Sequence, residues 1–228
     1  TDDQGYDHIR RGEGVTPAER YLTWLGDRTF LKMWGYANVH KKPLKEHCDY
    51  LVVSGNQVLI FSDKDCAFPV SGDPRTNWLR WVRRAVEKSA RQLWGAQRWL
   101  MNYPERLYLD SSCKQRFPHA VPPPDRATYH LIAVAHNASR ACASIHGGSG
   151  SLMLRNDLQG FDAHTEPFVI GDLVPDQTFI HVFDDTTLKI VLSTRDTITD
   201  LTRYLSRKVA FLRKPSACQS REGEGMAT

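Results

Sequence analysis

The sequence has few of the signals that mark a membrane, disulfide-stabilised or zinc-binding protein. No run of apolar residues approaches the roughly 18 needed to span a bilayer, and no charged-then-apolar leader opens the chain. The five cysteines are widely spaced and include no C-x-x-C pair, which argues against a zinc ribbon and a disulfide framework. We therefore expect a cytoplasmic protein with reduced thiols and no membrane partner.

Two common catalytic signatures are also missing. The Gly-rich segment 146–150 lacks the spacing of a Walker A motif, which favours a flexible loop over a phosphate-binding one. Residues 111–113 show no partner arrangement for nucleophilic catalysis. The net charge of +4 is too mild to identify a nucleic-acid binder. With 41% hydrophobic and 25% charged residues, the chain has the ordinary composition of a globular protein with a buried core.

The order of local patterns predicts an α/β architecture. A capping signal at Thr16-Pro17-Ala18-Glu19 opens a first helix that should end near Leu25. The longest helical pattern covers residues 77–102, with apolar residues at three- and four-residue steps. Strands are predicted at 29–36, 107–109, 130–135, 168–170 and 179–183, a loop at 38–47, and a helical region at 186–207.

The clearest local signal is a β-hairpin. Residues 50–53 and 58–61 are two short apolar runs, and the four residues between them include Gly55 and Asn56, which suit a tight turn. Glu46 and Asp49 enter the first strand, and Lys64 leaves the second. Because a hairpin brings both ends of such a run to one edge of a sheet, we expect Asp49 and Lys64 to lie together.

This arrangement suits phosphodiester hydrolysis. Hard divalent cations such as Mg²⁺ prefer carboxylate and carbonyl oxygens. A bound cation polarises a phosphate and lowers the pKa of a water molecule. A nearby lysine can orient that water or stabilise negative charge as it develops.

The stretch from Lys45 to Lys64 resembles the core of PD-(D/E)xK nucleases, and most closely the NERD and Mrr-like branches. The resemblance covers roughly residues 16–110 and includes a helical glutamate, matched by Glu19, and a long helix after the hairpin. In RecB-like relatives that helix carries a glutamine, matched by Gln92. The resemblance implies a restriction-endonuclease-like mixed sheet flanked by helices. It further implies an endonuclease that depends on Mg²⁺ (or Mn²⁺) and acts on DNA or RNA, often in prokaryotic antiviral defence.

The sequence departs from the family pattern at Ser62, where an acidic residue is expected two positions before Lys64. Strand alternation places Ser62 and Lys64 on one face and Asp63 on the other. Three alternatives follow. A bulge turns Asp63 inward, so that it joins Asp49 and Glu19 as a metal ligand; Glu19 or Glu46 completes the metal shell; or the site is degenerate and binds nucleic acid or a partner without cleavage.

A basic stripe on the long helix is a candidate nucleic-acid surface. It consists of Arg80, Arg83, Arg84, Lys88 and Arg91. Trp78, Trp81, Trp94 and Trp99 on the same helix suit either base stacking or packing against the sheet. The alternative for the stripe is a solvated helix face.

We expect a nuclease core at residues 15–140 and an additional α/β segment at residues 141–228, in a chain that is a piece of a longer protein. Possible partners besides nucleic acid are a sensor subunit or further domains of the same chain. The rival functions are a degenerate nucleic-acid-binding module and a partner-binding module of a multi-subunit defence complex.

Overall fold

A five-stranded mixed sheet forms the centre of the protein. The computed structural model describes residues 11–194 and 197–214. Within them the strands run in the order β1-β2-β3-β4-β7, and β5 and β6 form a separate parallel pair. The strands are β1 (Gly35–Lys42), β2 (Lys45–Ser54), β3 (Gln57–Lys64), β4 (Thr128–Ala135), β5 (Met153–Gln159), β6 (Val169–Asp172) and β7 (Ile180–Phe183).

Helices cover both faces of this sheet. They are α1 (Pro17–Thr29), α2 (Leu31–Trp34), α3 (Pro74–Trp81), α4 (Lys88–Asn102), α5 (Ser139–His146), α6 (Asp185–Thr194) and α7 (Ile198–Leu212). α3 and α4 pack on one face, while α1, α6 and α7 pack on the other, and each face has its own apolar cluster. The predicted α/β class and mixed sheet flanked by helices are therefore confirmed.

The sheet changes direction at β3. β1, β2 and β3 are antiparallel, and β4 and β7 run parallel to β3. The predicted hairpin is present, with Ser54 paired to Gln57 around Gly55 and Asn56. Gly55 has a φ of 56°, a left-handed conformation that glycine adopts without a steric penalty.

Two predictions near the N-terminal half are wrong. The predicted strand at 29–36 is mostly helical, because α1 extends to Thr29 and α2 follows; only Gly35 and Tyr36 belong to a strand, the start of β1. Residues 38–47 are not a loop, since β1 continues to Lys42 and β2 begins at Lys45. The loop was predicted because this stretch is basic and polar. Such residues also occur in β1, which is an edge strand whose charged side chains remain solvated.

The predicted strand at 107–109 is also wrong. Tyr108 makes isolated bridges to His40 and Arg116, and no ladder extends from them in the described residues. β5 was not predicted, because its side chains are largely exposed and show no strand-like alternation of apolar residues. The predicted helical region at 186–207 divides into α6 and α7.

The long helix is continuous across a π-helical turn at Val82–Glu87. Its tryptophans pack inward, since Trp78 is 0% exposed, Trp81 1% and Trp94 7%. Packing is thus the role of these three rings. The basic stripe lies on the solvent side of the same helix.

The C-terminal segment contributes to the same sheet as the N-terminal one. β7 pairs in parallel with β4, so the predicted boundary at residue 140 falls within a single sheet. Cys48, Cys66, Cys113 and Cys142 are free thiols. Across the described residues, no helix is both long enough and apolar enough to cross a membrane.

Candidate active site

The sheet splits between β2 and β3 at Asp49. The ladder between the two strands ends at the pair Tyr50 and Phe61. Beyond that pair β2 continues along β1, and β3 continues along β4 as far as Lys64. Asp49 occupies the opening, where one carboxylate oxygen accepts a hydrogen bond from the backbone N–H of Asp63. The side chain thus takes the place of a ladder bond at the divergence of the strands.

Lys64 lies beside this carboxylate, as the hairpin predicted. Its Nζ is 4.0 Å from Oδ2 of Asp49, and the Asp49 side chain is 6% exposed. Burial raises the pKa of Asp49 to about 6, although Lys64 and the Asp63 amide oppose this shift. The negative charges of Glu46 and Glu19 raise the pKa further. Asp49, Lys64, Glu46 and Glu19 therefore form one electrostatic cluster at the edge of the sheet.

Asn38 joins the two glutamates of the cluster and was not anticipated. Its Nδ2 donates to Glu46 Oε1 at 2.8 Å and to Glu19 Oε2 at 3.2 Å. Asn38 lies between the β1 positions that pair with Tyr50 and Cys48, which places it opposite Asp49. Its φ of 51° is left-handed, which asparagine tolerates better than most residues. Asparagine is depleted in strands, and that was the available sequence signal.

Glu19 is positioned by the start of α1. Thr16 and Glu19 form a capping box, in which the Thr16 side chain accepts from the Glu19 N–H. The Glu19 carboxylate also accepts from the backbone N–H of Val15 at 2.7 Å. Glu19 thus stabilises the helix terminus and adds its charge to the cluster.

Ser62 supplies no carboxylate, and the carboxylate of Asp63 is paired with His136. Ser62 is fully buried against the long helix, with its Oγ 3.4 Å from that of Ser89. The register between β3 and β4 continues without a shift through Lys64, so the proposed bulge is absent. The Asp63 side chain lies on the face of the sheet opposite to Ser62, where it contacts His136.

Asp63 instead forms a buried ion pair with His136. Oδ1 of Asp63 is 2.9 Å from Nε2 of His136, while Nδ1 of His136 is hydrogen-bonded to Asp185. Burial alone would lower the pKa of His136, but hydrogen bonds and charge from Asp185 and Asp63 raise it to about 10. His136 is therefore a cation at neutral pH. From the sequence alone, His136 is only a polar residue that follows an apolar strand, and its ion pairs could not be predicted.

The other predicted residues lie elsewhere. Gln92 is half-buried on α4, on the opposite face of the sheet from α1, and makes no hydrogen bond to the cluster in the part of the chain that the structure describes. In the basic stripe, Arg91 pairs with Glu87 at 3.6 Å. The stripe faces solvent on the side of the sheet that is opposite to Glu19.

The donor chemistry of the cluster suits a hard divalent cation, because Asp49, Glu19 and Glu46 supply oxygen ligands. Among the described residues, however, no three His, Cys, Asp or Glu side chains lie close enough to hold a metal ion. The amide of Asn38 occupies the position between the two glutamates. The amide would thus compete with a cation for one oxygen of each glutamate.

Searches of protein-family models, curated proteins and solved structures find no match for this chain.

Proposed function

We propose that this chain is a nuclease that depends on a divalent cation and has a restriction-endonuclease-like fold. The observation that carries the proposal is the position of Asp49, which is buried in the split of the sheet with Lys64 at 4.0 Å and two further carboxylates in electrostatic range. The order of helix, hairpin and long helix agrees with the resemblance of the sequence to PD-(D/E)xK nucleases.

The side chains would divide the work of phosphodiester hydrolysis. Asp49, with Glu19 or Glu46, would hold Mg²⁺ (or Mn²⁺), which when bound polarises the phosphate and lowers the pKa of a water molecule. Lys64 would orient the attacking water or stabilise the charge that develops on the phosphate. Burial raises the pKa of Asp49 most, and the negative charges of Glu46 and Glu19, which raise it further, favour a cation at this position.

The decisive measurement is a cleavage assay with Mg²⁺ and with Mn²⁺ on DNA and RNA, each single- and double-stranded. Asp49→Ala and Lys64→Ala should each lose at least 100-fold in rate. Asp125→Ala and Lys114→Ala are matched controls, because both residues are exposed and lie outside the cluster. Equal cleavage by wild type and both site variants would refute the proposal.

A second candidate is a module that binds nucleic acid or a partner protein without cleavage. The observation that favours it is the absence of an acid from the position of Ser62, which the long helix covers. This candidate predicts retained binding with no cleavage of any substrate. Mn²⁺ binding, measured by calorimetry in wild type and Asp49→Ala, separates the two, because the binding module has no need of the cation.

A further inference from the structure

A cavity of about 990 Å³ opens at the same edge of the sheet as the cluster. Its wall includes Asp65 and Phe68 from the loop after β3, Arg140 from α5 and Asp185 from the start of α6. Asp65 directly follows Lys64 in the chain. The cavity is therefore next to Lys64.

The lining combines an aromatic surface with fixed hydrogen-bond acceptors. Phe68 is half-buried and held from behind, with its ring centroid 5.2 Å from that of Phe168. Asn137 holds both carboxylates, donating from its side chain to Asp65 at 2.6 Å and from its backbone to Asp185 at 2.9 Å. Asp65 has lone pairs beyond the one that Asn137 uses, whereas Asp185 is also bonded to His136.

The charge of the lining suits a base better than a polyphosphate. Arg140 balances the charge of Asp65, and His136 is paired with Asp185, so the lining offers a polyphosphate no excess positive charge. A neutral base carries N–H donors for the carboxylates and a flat face for Phe68. Arg140 is exposed and can accept the phosphate that links this base to its neighbour.

We propose that this cavity receives an unpaired base of the substrate strand. The inference rests on the proposed nuclease function and narrows its substrate to single strands or unpaired ends. In a duplex the bases are stacked and paired, so entry would require one of them to leave the helix.

The test measures binding without cleavage, in EDTA, by fluorescence anisotropy. The probes are a single-stranded octanucleotide, the same backbone with all bases removed, the matching duplex and a free mononucleotide. Ala67 lines the cavity and is exposed, so Ala67→Trp should fill the space. Ala210→Trp on the exposed side of α7 is the matched control.

We expect wild type and Ala210→Trp to bind the octanucleotide at least tenfold more tightly than the baseless strand. Ala67→Trp should lose this preference. Unchanged discrimination in Ala67→Trp would overturn the proposal, as would equal binding of the duplex or of the mononucleotide. This binding assay contains no metal, so it is independent of the cleavage assay. If the protein cleaves nucleic acid but Ala67→Trp binds like wild type, only the base-binding proposal is rejected. If Ala67→Trp loses the preference but the protein cleaves no substrate, only the nuclease proposal is rejected.

Discussion

At the scale of single residues, Asp49 carries a charge that folding disfavours. Its pKa of about 6 lies above the ordinary value of 3.8, mainly because the carboxyl is buried. The folded state thus favours the protonated form, and stability falls as pH rises from about 4 to about 6. The ionised form of Asp49 thus lowers the stability of the folded protein, and buried carboxylates of this kind are typical of functional sites.

Asp49→Asn should therefore stabilise the protein. The amide oxygen can keep the hydrogen bond from Asp63, and the buried charge is removed. We expect the free energy of unfolding to rise by about 1–3 kcal/mol at pH 8, from a shift of about two pKa units. The gain should shrink towards pH 4. Urea denaturation at both pH values measures it, with Asp125→Asn as control, and a loss of stability at pH 8 would contradict the argument.

At the scale of elements, the divergence of β2 from β3 determines which side chains lie together at the candidate site. β2 leaves β3 at Asp49 and stays with β1, so the residue that β1 places opposite, Asn38, enters the cluster. The hairpin and the proximity of Asp49 and Lys64 could be predicted, because alternation and turn residues are local signals. Asn38 and His136 could not, because their contacts depend on strand register and on pairings distant in sequence.

Substitutions of Asn38 separate its backbone role from its amide. Asn38→Gly removes the hydrogen bonds to Glu19 and Glu46 and accepts the φ of 51° without strain. Asn38→Ala removes the same bonds and adds about 1 kcal/mol of strain. We expect Asn38→Ala to unfold at lower urea concentration than Asn38→Gly.

Metal binding provides the second readout for Asn38. Without the amide between the glutamates, Mn²⁺ should raise the melting temperature of Asn38→Gly by more than that of wild type. Leu44→Gly is a matched control, since Leu44 is also left-handed but exposed in a turn. An identical Mn²⁺ response in wild type and Asn38→Gly would show that the amide does not compete with the cation.

At the scale of the whole molecule, His136 joins the two halves of the chain. It follows β4, contacts Asp63 on β3 and contacts Asp185 at the start of α6. Its ion pairs thus reinforce the strand pairing that carries the sheet across residue 140. Local composition, from which the boundary at residue 140 was predicted, could not reveal this connection, because it depends on the parallel pairing of β7 with β4.

Loss of His136 should destabilise the whole molecule. His136→Gln leaves the Asp63 carboxylate buried without a cation, which costs about 3–5 kcal/mol when a buried pair loses one partner. In wild type, the raised pKa of about 10 means that the contribution of His136 is complete below its ordinary value of 6.5. It is lost as pH rises towards 10.

Urea denaturation between pH 6 and pH 10 tests both parts of this prediction. His136→Gln should be less stable than wild type at pH 6, and the difference between the two proteins should shrink towards pH 10. His146→Gln is the control, because His146 is exposed at the C-terminal end of α5. Parallel pH profiles for wild type and His136→Gln would show that the ion pairs of His136 do not link the two halves. A single cooperative transition in both proteins is expected, since one sheet spans residue 140.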